Sequence, residues 1–156
     1  MKWFLVAGTL LALSWSLAQG EAIYQSRCAV CHGAKGEGHP GVYPPLAGSL
    51  GRLLALEEAR AYLVWVTTYG LSGPIRSGGV EYNGVMLAYP GLSVAERADL
   101  LNHLLALNAG YLPGGFRRFT PEEVQGFVKD KKTPAELRRL REMLVAKLQQ
   151  KGLPVP

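Results

Sequence analysis

The chain has 156 residues, of which 48% are hydrophobic and 19% charged, so we expect one domain with a small appendage and exclude wholesale disorder. Two cysteines are too few for a disulfide framework. The positive excess lies in residues 113–156, which hold ten basic and five acidic side chains. Basic and acidic side chains are interleaved there, as is typical of a solvated helix face. Nucleic-acid binding is therefore not expected.

Residues 1–18 have the layout of a secretory signal peptide. A short positive start is followed by an almost entirely apolar run, and Ser16-Leu17-Ala18 places small residues at two positions of a cleavage site. The run is shorter than the roughly 20 residues of a membrane span. We therefore predict export to the periplasm, with an uncleaved membrane anchor as the alternative.

The first half of the remaining chain is predicted to alternate helices with long loops. A short amphipathic helix is expected over 21–30, and the density of glycine and proline in 33–51 predicts a long loop. Apolar residues at helical spacing predict a second helix over 56–69. The stretch 70–91 is expected to be irregular, with a small β-hairpin near 75–85 whose turn would be Asn83-Gly84.

The second half carries three helix-start signals. Ser93 with Glu96 forms a capping box that opens a helix running to Asn108. Thr120 and Thr133 are each followed by proline and then by glutamate at the third helical position. We therefore predict two short helices after a Pro-Gly-Gly linker at 113–115, and no extensive sheet anywhere in the chain.

The motif Cys-Ala-Val-Cys-His at residues 28–32 carries the chemistry. It is the pattern of covalent haem attachment, because two sulfurs three residues apart at a helix end can each bond one haem vinyl group. His32 would then lie beneath the iron. A thioredoxin-like thiol pair would need a βαβ setting, and a zinc site would need more ligands than His39 and His103 supply. We predict one covalent haem c, bound through Cys28 and Cys31, with His32 on the iron.

The sixth iron ligand has four candidates. Met86 is favoured because it lies in a glycine-rich loop, which can present a side chain to a buried iron. Met143 is expected to pack within a charged helix. His103 is expected to be a core or helix-contact residue, and His39 an exposed loop residue.

Other residues are expected to complete the pocket. The second ring nitrogen of His32 needs an acceptor that fixes its tautomer, and the carbonyl of Pro44 or Pro45 is well placed in the loop. The apolar candidates for the haem pocket are Leu46, Leu63, Val66, Leu92 and Leu100.

Taken together, residues 20–108 resemble the class I cytochromes c. The shared features are the C-x-x-C-H motif, a Pro-x-Leu-x-Gly loop at 44–48, a methionine loop and a closing helix. The resemblance implies an all-α fold in which three to four helices and long loops enclose the haem. It also implies that the carbonyl of Pro44 is the partner of His32, and that Gly20 and Tyr24 pack against the closing helix.

The stretches 40–48, 82–86 and 119–124 more specifically resemble the soluble respiratory cytochromes c of Thermus, which have a basic C-terminal extension. That resemblance implies electron delivery to a haem–copper terminal oxidase and an extension that wraps the haem domain. We therefore divide the chain into a signal peptide (1–18), a haem domain (19–112) and a basic helical extension (113–156).

The predicted function is one-electron transfer in respiration, from an upstream membrane or periplasmic donor to the oxidase, by a monomer that forms transient complexes. With His32 and Met86 both on the iron, no position stays open for oxygen or peroxide, which argues against an enzyme. The alternatives are a haem subunit of a periplasmic oxidoreductase complex, a haem peroxidase-like enzyme, and a haem-free thiol or metal-binding module.

Overall fold

The computed structural model describes residues 18–114 and 116–156. The predicted signal peptide lies outside them except for Ala18. Within the described ranges, no helix combines the length and the apolar character needed to cross a bilayer.

The described residues form a mostly helical fold with one two-stranded antiparallel sheet, as the sequence predicts. Strand β1 covers Leu71–Ser77, strand β2 covers Val80–Met86, and a 3₁₀ helix covers Ala109–Tyr111. The α-helices are α1 (18–27), α2 (Ala29–His32), α3 (Ser49–Leu53), α4 (Glu58–Tyr69), α5 (Val94–Leu107), α6 (Pro121–Val128) and α7 (Pro134–Gln150).

The hairpin is longer than predicted and turns at a different place. Its turn is Gly78-Gly79, where both residues have positive φ, and Asn83 lies within β2 opposite Pro74. Two consecutive residues with positive φ suit the turn that matches strand twist, and glycine adopts that conformation without strain. The prediction that Asn83-Gly84 forms the turn is therefore wrong, and most of 70–91 is strand rather than irregular.

One short helix was not predicted, and another helix is longer than predicted. The short helix α3 lies at the end of the segment predicted as a continuous loop, 33–51. Helix α7 has 17 residues, so it is not a short helix. The three predicted caps are confirmed, because the hydroxyls of Ser93, Thr120 and Thr133 each accept a hydrogen bond from the third residue of their helix.

The N-terminal helix crosses α5 at very close range. A Cβ on Gly20 would lie 2.1 Å from the carbonyl oxygen of Asp99, so only glycine lets the two backbones approach this closely. One turn later, the ring of Tyr24 lies 5.1 Å from the ring of His103. The expected packing of Gly20 and Tyr24 against the closing helix is present, and it places the C-x-x-C-H segment next to the core.

Gly20→Ala is expected to lower the free energy of unfolding by about 1–3 kcal/mol, because the added methyl must push the two helices apart. The matched control is Gly126→Ala in α6, where a Cβ would meet nothing within 4 Å. That change should be neutral or stabilising by up to about 1 kcal/mol. Denaturant unfolding followed by circular dichroism measures both, and equal effects in the two variants would contradict the close contact.

Helices α6 and α7 both pack on α4, and α7 also packs on β1. The indole of Trp65 donates to the carbonyl of Phe127 at 2.8 Å, and the hydroxyl of Tyr69 donates to the carbonyl of Val128 at 2.8 Å. These α4 side chains therefore satisfy carbonyls at the end of α6, which a helix leaves unpaired. The side chains of α7 that enter the core are Leu137, Leu144 and Leu148.

Candidate functional site

The C-x-x-C-H segment is one turn of helix after a break. Helix α1 ends before Cys28, and α2 then carries Cys31 and His32 to the helix end at Gly33, whose φ is +79°. The amide of His32 donates to the carbonyl of Cys28 at 2.9 Å, and the hydroxyl of Tyr24 donates to the carbonyl of Gly33 at 2.7 Å. This turn presents two thiols and an imidazole together, as the spacing predicts.

His32 is buried and held in one orientation. Its Nδ1–H donates to the carbonyl of Pro44 at 2.9 Å, so Nε2 is the nitrogen left for a metal. Burial lowers the pKa of this histidine, and the resulting neutral imidazole is the form that binds iron. Of the two prolines predicted as partners, the structure selects Pro44. Its loop is held in turn by the carbonyl of Gly36, which accepts from the amides of Leu46 and Ala47.

Two adjoining cavities lie against this turn. The larger has a volume of about 250 Å³ and opens to the surface, and the smaller, of about 70 Å³, extends into the core. Their lining is mainly apolar, which suits a flat hydrophobic cofactor. The residues that line both cavities are Cys28, His32, Pro44, Leu71, Ile75 and Met86.

Met86 ends β2 and lines both cavities together with His32. The other three candidates for the sixth ligand, His39, His103 and Met143, line neither cavity. Met143 is 61% exposed, so the prediction that it packs within its helix is wrong. Of the four candidates, the structure therefore brings only Met86 together with His32.

The loop after Met86 is braced from both sides. The guanidinium of Arg97, buried in α5, donates to the carbonyl of Tyr89 at 2.6 Å. The hydroxyl of Tyr89 donates to the carbonyl of Arg27 at 2.8 Å. These bonds tie the methionine loop to α5 and to the end of α1, so the position of Met86 depends on elements far apart in sequence.

Three of the five residues predicted for the apolar haem pocket lie at the cavities. Leu46, Leu63 and Val66 line the smaller cavity, whereas Leu92 and Leu100 line neither. Leu100 is instead a core residue of α5. Sequence reasoning missed several lining residues, for which nothing in the local pattern gave a signal: Leu53, Tyr62, Ile75, Leu104 and Arg141.

The site does not suit free-thiol chemistry. Burial, reinforced by the charge of Cys31, raises the pKa of the Cys28 thiol to about 11, and a reactive thiol needs a lowered pKa. In the part of the chain that the structure describes, no group of three or more histidine, cysteine or acidic side chains could hold a metal ion. The residues present therefore fit a haem, with a thiol pair for its vinyl groups, an imidazole with one free nitrogen and an apolar slot.

Comparison with known proteins agrees with this geometry. The family model for cytochrome c matches residues 17–108. A cytochrome c-552 of Thermus thermophilus is 42% identical over 139 residues, which cover 88% of this chain and 93% of that protein. Another Thermus thermophilus cytochrome c-552 is 43% identical over 121 residues, covering 77% of this chain and 92% of its own.

Proposed function

Because the chain belongs to the cytochrome c family and is a monohaem electron carrier with covalent haem c, we propose that it delivers single electrons to a haem–copper terminal oxidase. In this proposal residues 1–18 direct export, and the protein acts in the periplasm as a monomer. The electrons come from an upstream membrane or periplasmic donor. Residues 19–112 form the haem domain, and residues 113–156 form an extension that packs on it.

The proposed haem ligands are the residues that meet at the two cavities. Cys28 and Cys31 form the thioethers, and His32 and Met86 are the axial ligands. The haem, when bound, supplies an iron that alternates between the ferrous and ferric states. The Pro44 carbonyl orients the imidazole and strengthens its basicity. The thioether of Met86 favours the ferrous state and so raises the reduction potential.

In this proposal both axial positions of the iron are filled, which favours electron transfer over catalysis. An enzyme acting on peroxide or oxygen needs one open iron position, whereas the proposed ligands His32 and Met86 would fill both. An added ligand such as cyanide or carbon monoxide should therefore bind the iron slowly or weakly. Rapid, tight binding would favour the peroxidase-like alternative instead.

The observation that carries the oxidase proposal is the apolar surface around the mouth of the larger cavity. Large hydrophobic side chains are exposed there next to the proposed thioethers, and among the described residues of the lining only Arg27 is charged. We call this surface the apolar edge; its exposed members in the cavity lining are Val42, Tyr43, Val85 and Leu87, and exposed Val30 lies between the two cysteines in the chain. Such an edge suits a brief, largely apolar encounter with a redox partner.

Reduction of a haem–copper oxidase from the source organism is expected to depend only weakly on ionic strength. The apolar edge carries little charge, and ten of the chain's 17 basic residues lie in 113–156. We expect the second-order rate constant, measured by stopped flow, to change less than about threefold as the Debye length falls from about 30 to 3 Å. A steep loss of rate with salt would contradict this and implicate the basic extension.

The same stopped-flow measurement of oxidase reduction tests the apolar edge directly. Leu87→Glu should slow oxidase reduction about tenfold, since a charge would be buried in an apolar contact. Leu87 is 67% exposed, and Met143→Glu is a matched control, because Met143 is 61% exposed and lies outside the edge. Equal rates for the two variants would overturn the proposed docking surface.

A further inference from the structure

The loop after Met86, residues 87–92, has a single side chain that can form hydrogen bonds. Its other five members are leucine, alanine, proline, glycine and leucine, so only the phenol of Tyr89 is polar. On the other side of Met86, strand pairing with Leu71 holds the backbone. The two residues between Met86 and Tyr89 are exposed, so Tyr89 is the first residue after the proposed ligand whose side chain can anchor the loop.

That side chain is anchored to the end of α1. The hydroxyl of Tyr89 donates to the carbonyl of Arg27 at 2.8 Å, across 62 residues of chain. Arg27 is the last residue of α1, and the last carbonyls of a helix lack partners within it. Arg27, Met86 and Tyr89 all line the larger cavity, and Cys28 follows Arg27. The bond therefore joins the methionine loop to the cysteine turn beside the open cavity.

Tyr89 is also held by its backbone. Its carbonyl accepts from the buried guanidinium of Arg97 at 2.6 Å, and this contact does not involve the hydroxyl. Burial raises the pKa of the phenol, which therefore stays protonated and able to donate near neutral pH. Removing the hydroxyl would thus break the bond to Arg27 while the bond to Arg97 remains.

We propose that Tyr89 is a positioning residue whose hydroxyl tethers the loop 87–92 to α1 and so keeps Met86 in the cavity beside His32. The inference rests on the proposed axial ligands and goes beyond them, because it names the contact that keeps the sixth position closed to other ligands. When the loop lies in its observed place, the hydroxyl bonds to the carbonyl of Arg27. When the loop moves away, both groups bond to water instead, so the tether favours the closed loop about fivefold, the net value of one hydrogen bond.

The test is Tyr89→Phe, which removes one oxygen atom and keeps the ring. The readout is the dissociation constant of added imidazole for the ferric holoprotein, followed by loss of the weak long-wavelength band of iron–methionine sulfur ligation. Because imidazole can bind only when Met86 leaves the iron, we expect that constant to fall about fivefold. An unchanged constant in Tyr89→Phe would overturn the proposal.

Two controls separate the tether from other effects. Tyr111→Phe also removes a phenol oxygen, but Tyr111 lines neither cavity and its hydroxyl makes no hydrogen bond with any residue that the structure describes. Glu123→Gln removes the partner of Arg60 at the contact of α4 with α6, and Glu123 lines neither cavity. Both controls should leave the imidazole constant unchanged, so neither the loss of a phenol hydroxyl nor a general loss of stability reproduces the effect.

Hydrogen exchange measured by mass spectrometry gives a readout that does not depend on the sixth ligand. Amides in residues 87–92 should exchange faster in Tyr89→Phe than in the unmodified protein and in Tyr111→Phe. If the unmodified ferric protein lacks the sulfur–iron band, Met86 is refuted as the ligand, and hydrogen exchange still decides on the tether. Equal exchange in Tyr89→Phe and Tyr111→Phe would then overturn it, whereas faster exchange in Tyr89→Phe would support it.

Discussion

Met86→His is expected to lower the reduction potential of the haem by a few tenths of a volt, a large part of the roughly 0.8 V over which axial ligands set haem potentials. The reason is electronic. A neutral thioether favours ferrous iron, whereas a second imidazole is more basic and favours ferric iron. Met86 is the candidate ligand that lines both cavities with His32, so the exchange should act directly at the iron.

Potentiometric titration with visible spectra measures this effect. The unmodified ferric protein should show the weak long-wavelength band of iron–methionine sulfur ligation, and Met86→His should lose it while keeping a c-type reduced spectrum. Met143→His is the control, because Met143 is exposed on α7 and lines neither cavity. An unchanged potential in Met86→His would show that another residue occupies the sixth position.

The parts of the site that could be predicted are those set by local sequence. The motif at 28–32 fixes two thiols and an imidazole within one helical turn, whatever surrounds it. The caps of α5, α6 and α7 are also local, since each hydroxyl bonds to an amide three residues away. The proline loop offers a rigid carbonyl and so narrowed the partner of His32 to Pro44 or Pro45, and only the family resemblance singled out Pro44.

The parts that could not be predicted depend on tertiary contact. Strand β1 contains Gly73 and Pro74, residues that weaken a strand, and it forms because β2 pairs with it along its whole length. The burial of Arg141 is invisible in the sequence, where it is one of several basic residues on a charged helix. It becomes buried only when α7 packs against the smaller cavity.

Another buried arginine, Arg60 of α4, joins the C-terminal extension to that helix. Arg60 donates to both carboxylate oxygens of Glu123 at 2.7 Å and to the carbonyl of Arg117 at 2.8 Å, and its guanidinium lies 3.9 Å from the ring centre of Phe119. The side chains of Arg60 and Glu123 are only 6% and 15% exposed. This cluster therefore holds the start of α6 against α4 in a setting of low dielectric.

Glu123→Gln should lower the free energy of unfolding by about 3 kcal/mol, because it removes the buried partner of Arg60 and leaves only the exposed carboxylate of Glu57, 3.9 Å away, near the buried charge. For a chain of this size the loss corresponds to a fall in Tm of roughly 6–12 °C. Glu122→Gln is the control: Glu122 is the exposed neighbour in the first turn of α6, and its change should stay within about 0.5 kcal/mol. Equal stability of the two variants would contradict a stabilising role for the buried pair.

The pH dependence of stability gives the pair a second signature. Burial by itself would raise the pKa of Glu123, but the hydrogen bonds and charge of Arg60, with the charge of Arg117, bring that pKa below its ordinary value. A carboxyl whose pKa is lower in the folded state stabilises the fold above its unfolded pKa of about 4.3, and this stabilisation is lost as pH falls through the folded value. The stability difference between the unmodified protein and Glu123→Gln should therefore be constant near neutral pH and shrink below about pH 4. Glu122→Gln removes the same charge without touching the Arg60 pair, so urea unfolding of both variants at several pH values separates the buried pair from the general effect of removing one negative charge.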